Sequence, residues 1–593
     1  MQRDICIDRL KKRALHHKDE AAYFFKQKNS WQGVNWEVYH DRVVSFAKSL
    51  INAGVDSGGK IAILGFNRLE WLIAAVGSQY IGATSVGVYT SSSADEVFYV
   101  VDHSDAEVLI VENLERYRKQ IKPKVDQFKK IKLIVLMSEE KTEDENVLKW
   151  SEFLQAGKTI KASVVDEKFS AVDPNSIATM IYTSGTTGNP KSVMLSHASI
   201  AWTVQTMVQV WGCSAKDKEI SYLPLAHIAE QMLTIYAPID CGISCYFVES
   251  PEKFKSNLKE VEPTVFFGVP RVYEKIYEGI KGAISEKDAL SQKVLMYFRE
   301  SASEYFSARY EGKMPSLWTS LRYLLARQKI FPKIKEQIGL GKVRICAVGA
   351  APISKDILNF FSSIDIPIYE LYGQSENCGP TTLSLPNSTK IGSVGKVMPG
   401  AEVKIASDGE ILLKGPHIFL GYYKDPAATA EVVKEGWLYT GDVGSLDKDG
   451  FLTITDRKKD ILITAGGKNI SPQNIESMLK HLPYVQSAVV IGDNKKYLTA
   501  LLSPDFEHIK KMASEKGLSI DDFMSAENLD SIYSEINSAL LGINQKLASV
   551  EQIKKYKLLP HEFSIDSGEY TPTLKVKRKF INQKYHREIA ELY

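Results

Sequence analysis

The stretch YTSGTTGNPK (residues 182–191) is the most informative part of this 593-residue sequence. It follows the apolar run SIATMI (176–181) and precedes SVMLSHASIAWTVQTM (192–207), a pattern that predicts a strand, a loop, a short strand and a helix. Small hydroxyl residues and glycines offer N–H and O–H donors to phosphate oxygens without obstruction, and Lys191 adds a positive charge. The segment therefore predicts a phosphate-binding loop.

This loop differs from the Walker A motif of P-loop kinases and GTPases. Pro190 stands directly before Lys191, where Walker A requires glycine. The sequence therefore disfavours a P-loop enzyme. An ordinary turn rich in Ser, Thr and Gly remains the other interpretation of this segment taken alone.

Four more glycine-rich turns follow along the chain. They are FFGVP (266–270), AVGAAP (347–352), YGQSENCGP (372–380) and GSVGKVMPG (392–400). Glycines at this density allow positive φ and a close approach of the backbone, which is typical of loops that converge on a ligand. We expect these turns to meet at one site.

The segments around these turns indicate the organisation of the chain. Residues 60–111 alternate β-rich runs with helical stretches, and 132–137 adds a strand, which predicts a parallel sheet covered on both faces. Aromatic and basic residues at helical spacing predict a helical insertion at 280–337. Residues 410–455 favour antiparallel β structure, and residues from about 457 to the end form a last unit with its own helices.

Composition excludes several functional classes. Hydrophobic residues make up 44% and charged residues 25%, which is typical of a globular protein, and 74 basic residues balance 72 acidic ones at a net charge of +2. This balance leaves no excess of positive charge of the kind that indicates binding to nucleic acid. Six dispersed cysteines favour reduced intracellular thiols, and the start of the chain lacks a secretory signal. The uncharged run 71–94 predicts a buried helix and strand, so we expect a cytoplasmic protein without a transmembrane segment.

Four further segments give the phosphate loop a more specific meaning. They are YELYGQSE (369–376), GWLYTGD (436–442), DRKKD (456–460) and PTLK (572–575). In this order and spacing, the five segments resemble the motifs of the adenylate-forming superfamily, which contains acyl- and aryl-CoA synthetases, peptide-synthetase adenylation domains and luciferases. Ser375 stands where the superfamily usually has threonine, and it keeps the hydroxyl group.

Within that superfamily the sequence is most similar to the bubblegum-type long-chain acyl-CoA synthetases. The resemblance is carried by YLPLAHIAEQ (222–231), VEPTVFFGVPRVYEKIYEGI (261–280), the helical insertion and TPTLKVKR (571–578). It implies an α/β fold with a large N-terminal domain (1–456) of two stacked mixed sheets with flanking helices and a small β-barrel. It also implies a small, mobile α+β C-terminal cap (457–593).

The resemblance further implies a long-chain fatty acid–CoA ligase that uses ATP, Mg²⁺ and coenzyme A. The fatty acid would first form acyl-AMP with release of pyrophosphate, and coenzyme A would then displace AMP. The implied nucleotide contacts are Thr183, Ser184, Gly185, Thr186, Thr187, Gly188, Asn189, Pro190, Lys191, Gly349, Ala350, Ala351, Glu370, Leu371, Tyr372, Gly373, Gln374, Ser375, Asp442, Arg457 and Lys575.

Each part of the nucleotide has implied partners among these residues. The loop from Thr183 to Lys191 would hold the β- and γ-phosphates. Tyr372 would stack on adenine beside the small-residue wall 349–351. Asp442 would accept hydrogen bonds from the ribose hydroxyl groups, because a carboxylate offers only acceptors. Arg457 would contact ribose or phosphate.

The implied catalytic residues are Lys575, Lys191, Glu376 and His227. Lys575 would bridge the carboxylate and the α-phosphate, although a solvated basic tail is the alternative, and Leu574 replaces the glycine of many relatives. Glu376 and Thr187 would bind Mg²⁺, which prefers oxygen ligands. His227 would orient the carboxylate or gate the acyl channel, or be a core histidine. Lys459 would be the hinge about which the C-terminal cap rotates.

Two alternative functions and one possible partner stay open at this point. The chain would be another adenylate-forming enzyme, such as an aryl- or medium-chain-CoA ligase or a fatty acyl-AMP ligase, or else a nucleotide-binding module without catalysis. Trp318, Tyr323, Arg322, Arg327 and Lys329 of the insertion would form a peripheral membrane contact, or would simply pack on the N-terminal domain.

Overall fold

The structure is a computed structural model that describes residues 3–142, 144, 146–183, 189–466, 468–515, 517–519, 526–571 and 575–593. Its largest sheet has eight strands. From edge to edge these are Gly421–Tyr422, Lys191–Ser196, Ile177–Thr183, Thr84–Val88, Lys60–Leu64, Val108–Val111, Leu133–Leu136 and Val147–Lys149. The six strands from 177–183 onward pair in parallel, whereas the first two pair antiparallel, so this sheet is mixed.

Two more sheets complete the α/β part of the N-terminal domain. One runs Val265–Gly268, Ile345–Val348, Ile368–Gln374, Gly379–Leu383 and Lys396–Val397. The other runs Lys218–Ser221, Ser244–Phe247, Ala21–Gln27 and Ser30–Asn35. They meet where the backbone N–H of Thr264 donates to the carbonyl oxygen of Lys218 over 2.9 Å. Both sheets contribute to the same hydrophobic core as the eight-stranded sheet.

Helices cover these sheets. In the N-terminal part they are Cys6–His16, Trp36–Asn52, Leu69–Tyr80, Ala94–His103, Leu114–Arg116, Trp150–Ala156, Ala162–Ser170, His197–Trp211, Ile228–Glu230, Ala237–Cys241, Phe254–Val261, Pro270–Ser285, Ala289–Tyr310, Leu317–Lys329, Phe331–Gln337, Lys355–Ser362 and Pro426–Val432. Tyr117–Ile121 and Gln231–Tyr236 are π-helical, and Lys122–Gln127, Gly157–Thr159, Pro251–Lys253 and Ser375–Asn377 are 3₁₀ segments.

An antiparallel sheet follows where the resemblance implies the small barrel. Its strands are Glu402–Ile405, Glu410–Lys414, Trp437–Leu446, Val433–Lys434 and Leu452–Arg457. Asp447 and Gly450 close a tight turn between the two longest strands, because the N–H of Gly450 donates to the Asp447 carbonyl oxygen over 3.0 Å. The antiparallel structure predicted for 410–455 is confirmed.

The last part of the chain has its own core. It contains the strand pair Leu462–Ile463 and Asn469–Ile470, the three-stranded sheet Val485–Ile491, Leu498–Pro504 and Ile553–Leu558, and the helices Pro472–Leu479, Phe506–Glu515, Ala526–Asn544, Arg578–Lys584 and His586–Glu591. A separate cluster of buried apolar side chains lies between these elements. This is the α+β unit that the sequence predicts.

Two further predictions from the sequence are confirmed. The uncharged run 71–94 forms most of the buried helix Leu69–Tyr80 and the buried strand Thr84–Val88. The segment 280–337 is helical, and its first helix begins earlier, at Pro270, where proline suits the first helical position. Among the residues that the structure describes, no helix combines the length and apolarity needed to cross a bilayer.

Candidate active site

All five glycine-rich turns line one cleft of about 2700 Å³. Thr183, Phe267, Ala351, Gly373 and Gly392 each represent one turn in its wall. The C-terminal unit completes the wall with segments that include 563–566 and 575–578. The prediction that these turns converge is therefore confirmed, and the cleft lies between the N-terminal domain and the C-terminal unit.

One face of the strand Ile368–Gln374 supplies polar groups to this cleft. Glu370, Tyr372 and Gln374 alternate along the strand, so their side chains share a face. The Tyr372 hydroxyl donates to Asp442 Oδ2 over 2.7 Å, and Gln374 Nε2 donates to the same oxygen over 2.5 Å. Burial and the negative charge of Asp442 raise the pKa of Tyr372 well above its usual value, which keeps this donor protonated.

Asp442 is positioned by a strand pairing. It lies directly opposite Arg457 in the antiparallel pair Trp437–Leu446 and Leu452–Arg457, and Arg457 Nε contacts Asp442 Oδ1 at 3.2 Å. Asp442 is 5% exposed. Burial disfavours the charged form of Arg457. The carboxylates of Asp442 and Glu376 favour that form more strongly, so the pKa of Arg457 is raised. The guanidinium of Arg457 therefore keeps its positive charge at the cleft wall.

Small residues form the adjacent wall, as the sequence predicts. Ala350 and Ala351 are exposed to the cleft, and Ala350 has a left-handed φ of 68°. A Cβ at Gly349 would lie 2.7 Å from Leu371 Cδ1, and one at Gly373 would lie 1.6 Å from the carbonyl oxygen of Gly379. Gly373 is therefore required for close packing against the backbone, whereas a Cβ at Gly349 would displace the Leu371 side chain.

Glu370 occupies a less polar part of the same wall. Its Oε2 accepts from the backbone N–H of Gly392 over 3.0 Å. Burial raises the pKa of Glu370 to about 7, against the opposing effects of that hydrogen bond and of Lys355. The carboxyl group therefore titrates near neutral pH.

Glu376 and Lys191 meet at a residue that the sequence interpretation did not single out, Tyr422. The Tyr422 hydroxyl donates to Glu376 Oε1 over 2.8 Å, and Lys191 Nζ lies 4.8 Å from the centre of the Tyr422 ring. Strand Gly421–Tyr422 pairs with strand Lys191–Ser196, which brings distant parts of the chain together. No local motif around Tyr422 signals this contact.

The phosphate loop joins two neighbouring strands of the largest sheet. Thr183 and Lys191 are paired across the antiparallel strands Ile177–Thr183 and Lys191–Ser196, and the helix His197–Trp211 follows. The Pro190 carbonyl oxygen accepts from the Tyr99 hydroxyl over 3.2 Å. The predicted contacts Ser184, Gly185, Thr186, Thr187 and Gly188 lie outside the described residues. Thr183, Asn189 and Lys191 line the cleft.

Lys575 reaches the cleft from the C-terminal unit. Its backbone N–H donates to Thr571 Oγ1 over 3.1 Å. Desolvation at the cleft wall and the positive charge of Arg457 lower the pKa of Lys575, against the opposing charges of Asp442 and Glu376, although the residue itself keeps solvent exposure. These influences mean that the predicted catalytic lysine shares one electrostatic environment with the predicted nucleotide residues. Residues 572–574 are outside the described part of the chain.

His227 lines the same cleft on another side. Its Nδ1 accepts from the backbone N–H of Ala229 over 3.2 Å. Burial, together with the positive charge of Lys575, lowers the pKa of His227 to about 4. The imidazole is therefore neutral at pH 7. Because Nδ1 is an acceptor, Nε2 carries the proton and is a donor.

Several apolar side chains also line the cleft. Met207 and Trp211 come from the helix His197–Trp211, Met232 and Leu233 from the π-helical segment that follows His227, and Phe267 from the second sheet. π-helical turns occur often at functional sites, since they displace side chains relative to a regular helix. These side chains offer apolar surface to a hydrocarbon chain.

The predicted hinge residue lies between two anchored neighbours. Lys458 Nζ is held by Asp408 and Glu410 of the N-terminal domain, at 2.7 and 2.8 Å. On the other side, Asp460 faces Arg578 of the C-terminal unit at 4.0 Å. Lys459 is exposed between them, which suits the predicted hinge.

The predicted metal ligands are only partly described. Glu376 presents a carboxylate to the cleft, but Thr187 is outside the described residues. Across the part of the chain that the structure covers, no three His, Cys, Asp or Glu side chains are grouped to hold a metal ion. A carboxylate beside a phosphate loop suits an ion that takes its remaining ligands from phosphates and water.

The chain matches two protein families and is similar to curated relatives. The family described as "AMP-binding enzyme" matches residues 10–423, and the "AMP-binding enzyme C-terminal domain" matches residues 459–593. A curated relative, long-chain-fatty-acid–CoA ligase ACSBG2 of Xenopus laevis, is 36% identical over 97% of this chain and 82% of its own length.

Solved structures show the same fold at low identity. The anthranilate CoA ligase AuaEII in complex with anthranoyl-AMP is similar at a TM-score of 0.74 and 20% identity, over 99% of this chain and 98% of that one. The o-succinylbenzoate CoA synthetase of Bacillus subtilis, in complex with ATP and magnesium ion, is similar at a TM-score of 0.66 and 20% identity, over 96% and 98% of the two chains.

Proposed function

The chain belongs to the AMP-binding enzyme family, among its long-chain-fatty-acid–CoA ligases, and we propose that its cleft carries out both half-reactions of that ligation with the residues described above. The observation that carries the residue assignment is the position of Lys575. This lysine comes from the C-terminal unit, yet it lines the same cleft as Arg457 and as Asp442 and Glu376 of the N-terminal domain.

In the first half-reaction, a carboxylate oxygen of the fatty acid bonds to the α-phosphorus of ATP, and the bond from that phosphorus to the bridging oxygen of pyrophosphate breaks. Two anions must approach each other, so positive charge is needed where negative charge gathers. Lys575 serves this purpose at the carboxylate and α-phosphate. Lys191 and the loop 183–191 hold the β- and γ-phosphates, which leave as pyrophosphate.

Asp442 and the small-residue wall orient the nucleoside. Tyr372 and Gln374 donate to Asp442 Oδ2, which fixes the carboxylate so that it accepts from the ribose hydroxyl groups. Adenine lies against the wall of Gly349, Ala350 and Ala351. Tyr372 packs beside it, and its buried hydroxyl keeps the ring in place.

Magnesium fits the residues present at this wall. Glu376 offers a hard oxygen ligand, and its contact with Tyr422 holds the carboxylate near Lys191. When bound, Mg²⁺ supplies charge neutralisation at the phosphates. Glu376 would hold it, with Thr187 as the second protein ligand.

His227 and the apolar side chains of the cleft receive the fatty acid. The neutral imidazole donates from Nε2 to a carboxylate oxygen of the substrate, since Nδ1 is already occupied by the N–H of Ala229. The hydrocarbon chain extends along Met232, Phe267 and Trp211. Burial of methylene groups at about 0.8 kcal/mol each then favours a long chain over a short one.

In the second half-reaction, the thiol sulfur of coenzyme A bonds to the acyl carbon, the bond from that carbon to the phosphate oxygen breaks, and AMP leaves. The thiol loses its proton. Lys575 must first leave the cleft to give the thiol access. Rotation of the C-terminal unit about Lys459 accomplishes this, because Lys458 stays tied to Asp408 and Glu410.

The direct test is incubation with ATP, Mg²⁺, palmitate and coenzyme A, followed by mass spectrometry of the products. We expect palmitoyl-CoA, AMP and pyrophosphate. Pyrophosphate without thioester would replace the ligase with a fatty acyl-AMP-forming enzyme. Faster turnover of benzoate or octanoate than of palmitate would instead indicate an aryl- or medium-chain-CoA ligase.

A further inference from the structure

The helical hairpin formed by Ala289–Tyr310 and Leu317–Lys329 exposes large apolar side chains. Met314 at its tip is 90% exposed, Leu317 is 92% exposed and Trp318 is 64% exposed. Scattered apolar side chains are normal on protein surfaces, whereas a contiguous group marks an interaction site. We refer to residues 289–329 below as the helical hairpin.

The helix Leu317–Lys329 has two apolar faces. Thr319, Tyr323 and Ala326 are buried and follow the spacing of one helical face. The exposed side chains Leu317, Trp318, Leu321, Leu324 and Leu325 follow the spacing of the opposite face. An ordinary surface helix has a polar outer face, so this outer face is unusual.

The inner face of this helix packs against the rest of the protein. The exposed apolar side chains of the outer face are therefore not needed to complete the core. Tyr323 stacks on Tyr305 with ring centres 4.0 Å apart, and its hydroxyl donates to Asp365 over 2.5 Å. Of the two interpretations that the sequence left open for Tyr323, packing on the N-terminal domain is confirmed, because the residue is 3% exposed. Trp318, which is 64% exposed, is still expected to take part in a membrane contact.

The charge around the exposed face is positive. Residues 289–329 carry seven basic side chains against three acidic ones, whereas the whole chain is nearly balanced. The helix Leu317–Lys329 contains Arg322, Arg327 and Lys329 and its sequence has no acidic residue. Arg322 joins the two helices, since it lies over the ring of Tyr297 at 5.1 Å and contacts Glu304 at 3.0 Å.

We propose that the outer face of the helical hairpin docks on lipid membranes that carry anionic headgroups. Leucine and tryptophan on one face with flanking arginine and lysine is the pattern of helices that lie in the membrane interface. A second copy of the chain is a poorer occupant, because a two-fold contact would bring these positive charges together. The proposal rests on the proposed function, since long-chain fatty acids partition into membranes.

The helical hairpin is also connected to the cleft. Arg299 donates to Ser363 Oγ over 3.0 Å, and its guanidinium lies 4.5 Å from the ring centre of Phe360. Phe360 belongs to the helix Lys355–Ser362, whose first residue lines the cleft. Docking would therefore hold the cleft at a fixed place relative to the membrane that contains its substrate.

The test is flotation of the full chain with phosphatidylcholine vesicles, with and without about one third phosphatidylserine. We expect the protein to float with the anionic vesicles.

The triple variant Leu317→Ser/Trp318→Ser/Leu321→Ser should lose about tenfold or more of this partitioning. Arg327→Glu/Lys329→Glu should lose about tenfold on the anionic vesicles only, and the loss should shrink as salt rises. Leu15→Ser/Leu541→Ser is the matched control, since both leucines are exposed elsewhere.

Activity measurements separate this proposal from the proposed function. All variants should form palmitoyl-CoA at the same rate from albumin-bound palmitate, whereas the triple variant should be slower when palmitate is supplied in vesicles. Acyl-CoA formation without flotation of the unaltered chain would overturn the docking proposal alone. Flotation without acyl-CoA formation would overturn the ligase instead. A dimer that the triple variant dissociates, without flotation, would replace the membrane with a second copy.

Discussion

In the cleft, charged side chains lie inside the protein, whereas in the helical hairpin large apolar side chains lie outside it. Asp442 is 5% exposed and is surrounded by donors from Tyr372, Gln374 and Arg457. Leu317 is 92% exposed at the start of a helix whose inner face is packed. Both arrangements cost folding free energy, since water favours the reverse.

The comparison shows two ways in which a fold prepares for a ligand. The cleft stabilises its charges with fixed partners, so a polar substrate meets an arranged environment. The helical hairpin leaves its apolar groups without partners, so an apolar surface gains by covering them. The loss of activity on substitution in the cleft should depend on which residue is changed. The loss of docking on substitution in the helical hairpin should depend on the total apolar area removed. The following predictions test the cleft side of that contrast.

The largest effect should come from Lys575→Ala. Removal of the cation should slow acyl-AMP formation on the order of 1000-fold, because Lys575 is the residue assigned to offset the charge of the two reacting anions. The reaction of supplied acyl-AMP with coenzyme A should change by less than about threefold. Pyrophosphate release and thioester formation, followed separately, measure the two steps.

Lys579→Ala is the control for that variant, because Lys579 is an exposed lysine a few residues along the same basic run. It should retain both activities. An equal loss of both half-reactions in Lys575→Ala would contradict the assigned role and would point to a general effect on the C-terminal unit.

Asp442→Asn should give the next largest effect. The amide nitrogen would replace one carboxylate oxygen and would face either the donors of Tyr372 and Gln374 or the donor of Arg457, so Asp442 would lose part of its arrangement. We expect KM for ATP to rise about 10- to 100-fold, with a smaller change in kcat. Asp447→Asn, in the exposed turn of the same sheet, should leave KM unchanged. A fall in kcat alone would argue against a role in ribose binding.

The pH dependence of the free enzyme should show an alkaline limb below the usual lysine range. Desolvation in the cleft and the charge of Arg457 lower the pKa of Lys575, and the lysine must be protonated to act, so kcat/KM for adenylate formation should fall as pH rises through this lowered value. Pyrophosphate exchange between pH 6 and pH 10 measures it, in about half-unit steps. Arg457→Gln should move the limb toward higher pH, because one of the two causes is removed.

The smallest effect is expected for Glu230, a buried carboxyl group that stabilises the fold and is assigned no role in the reaction. Glu230 Oε1 accepts from Asn67 at 2.9 Å, Ser221 at 2.6 Å and Thr234 at 2.9 Å, and burial raises its pKa to about 7. A carboxyl whose folded pKa exceeds its unfolded value lowers stability as pH rises between the two values. The thermal midpoint should therefore fall by about 2 °C between pH 5 and pH 8.

Glu230→Gln should flatten that decline, because the amide does not ionise, and should leave ligase activity at pH 7 nearly unchanged. Glu402→Gln, at an exposed strand position, should leave the decline as it is. A large loss of activity in Glu230→Gln would show that the buried network beside His227 takes part in substrate binding.

Local sequence patterns predicted much of this architecture. The strand, loop and helix around residues 182–207, the parallel strands of residues 60–111 and the helical insertion follow from hydrophobic spacing and turn residues. The five turns were expected to converge, and they do. Tyr422 was missed, because only the pairing of its strand with Lys191–Ser196 brings it to Glu376. For Tyr323 the sequence left membrane contact and packing on the N-terminal domain both open, because helical spacing alone does not tell an inner apolar face from an outer one.

The sequence by itself determined which chemical groups are present: a phosphate loop, a carboxylate in a GWLYTGD segment, a lysine near the end of the chain and a tryptophan in a basic helix. These follow from the identity and spacing of nearby residues. Only the tertiary structure decided which groups share an environment. Lys575 affects His227, and Asp442 faces Arg457, through strand pairing and contact between domains. Burial and electrostatic coupling depend on distance in space, which local spacing does not encode.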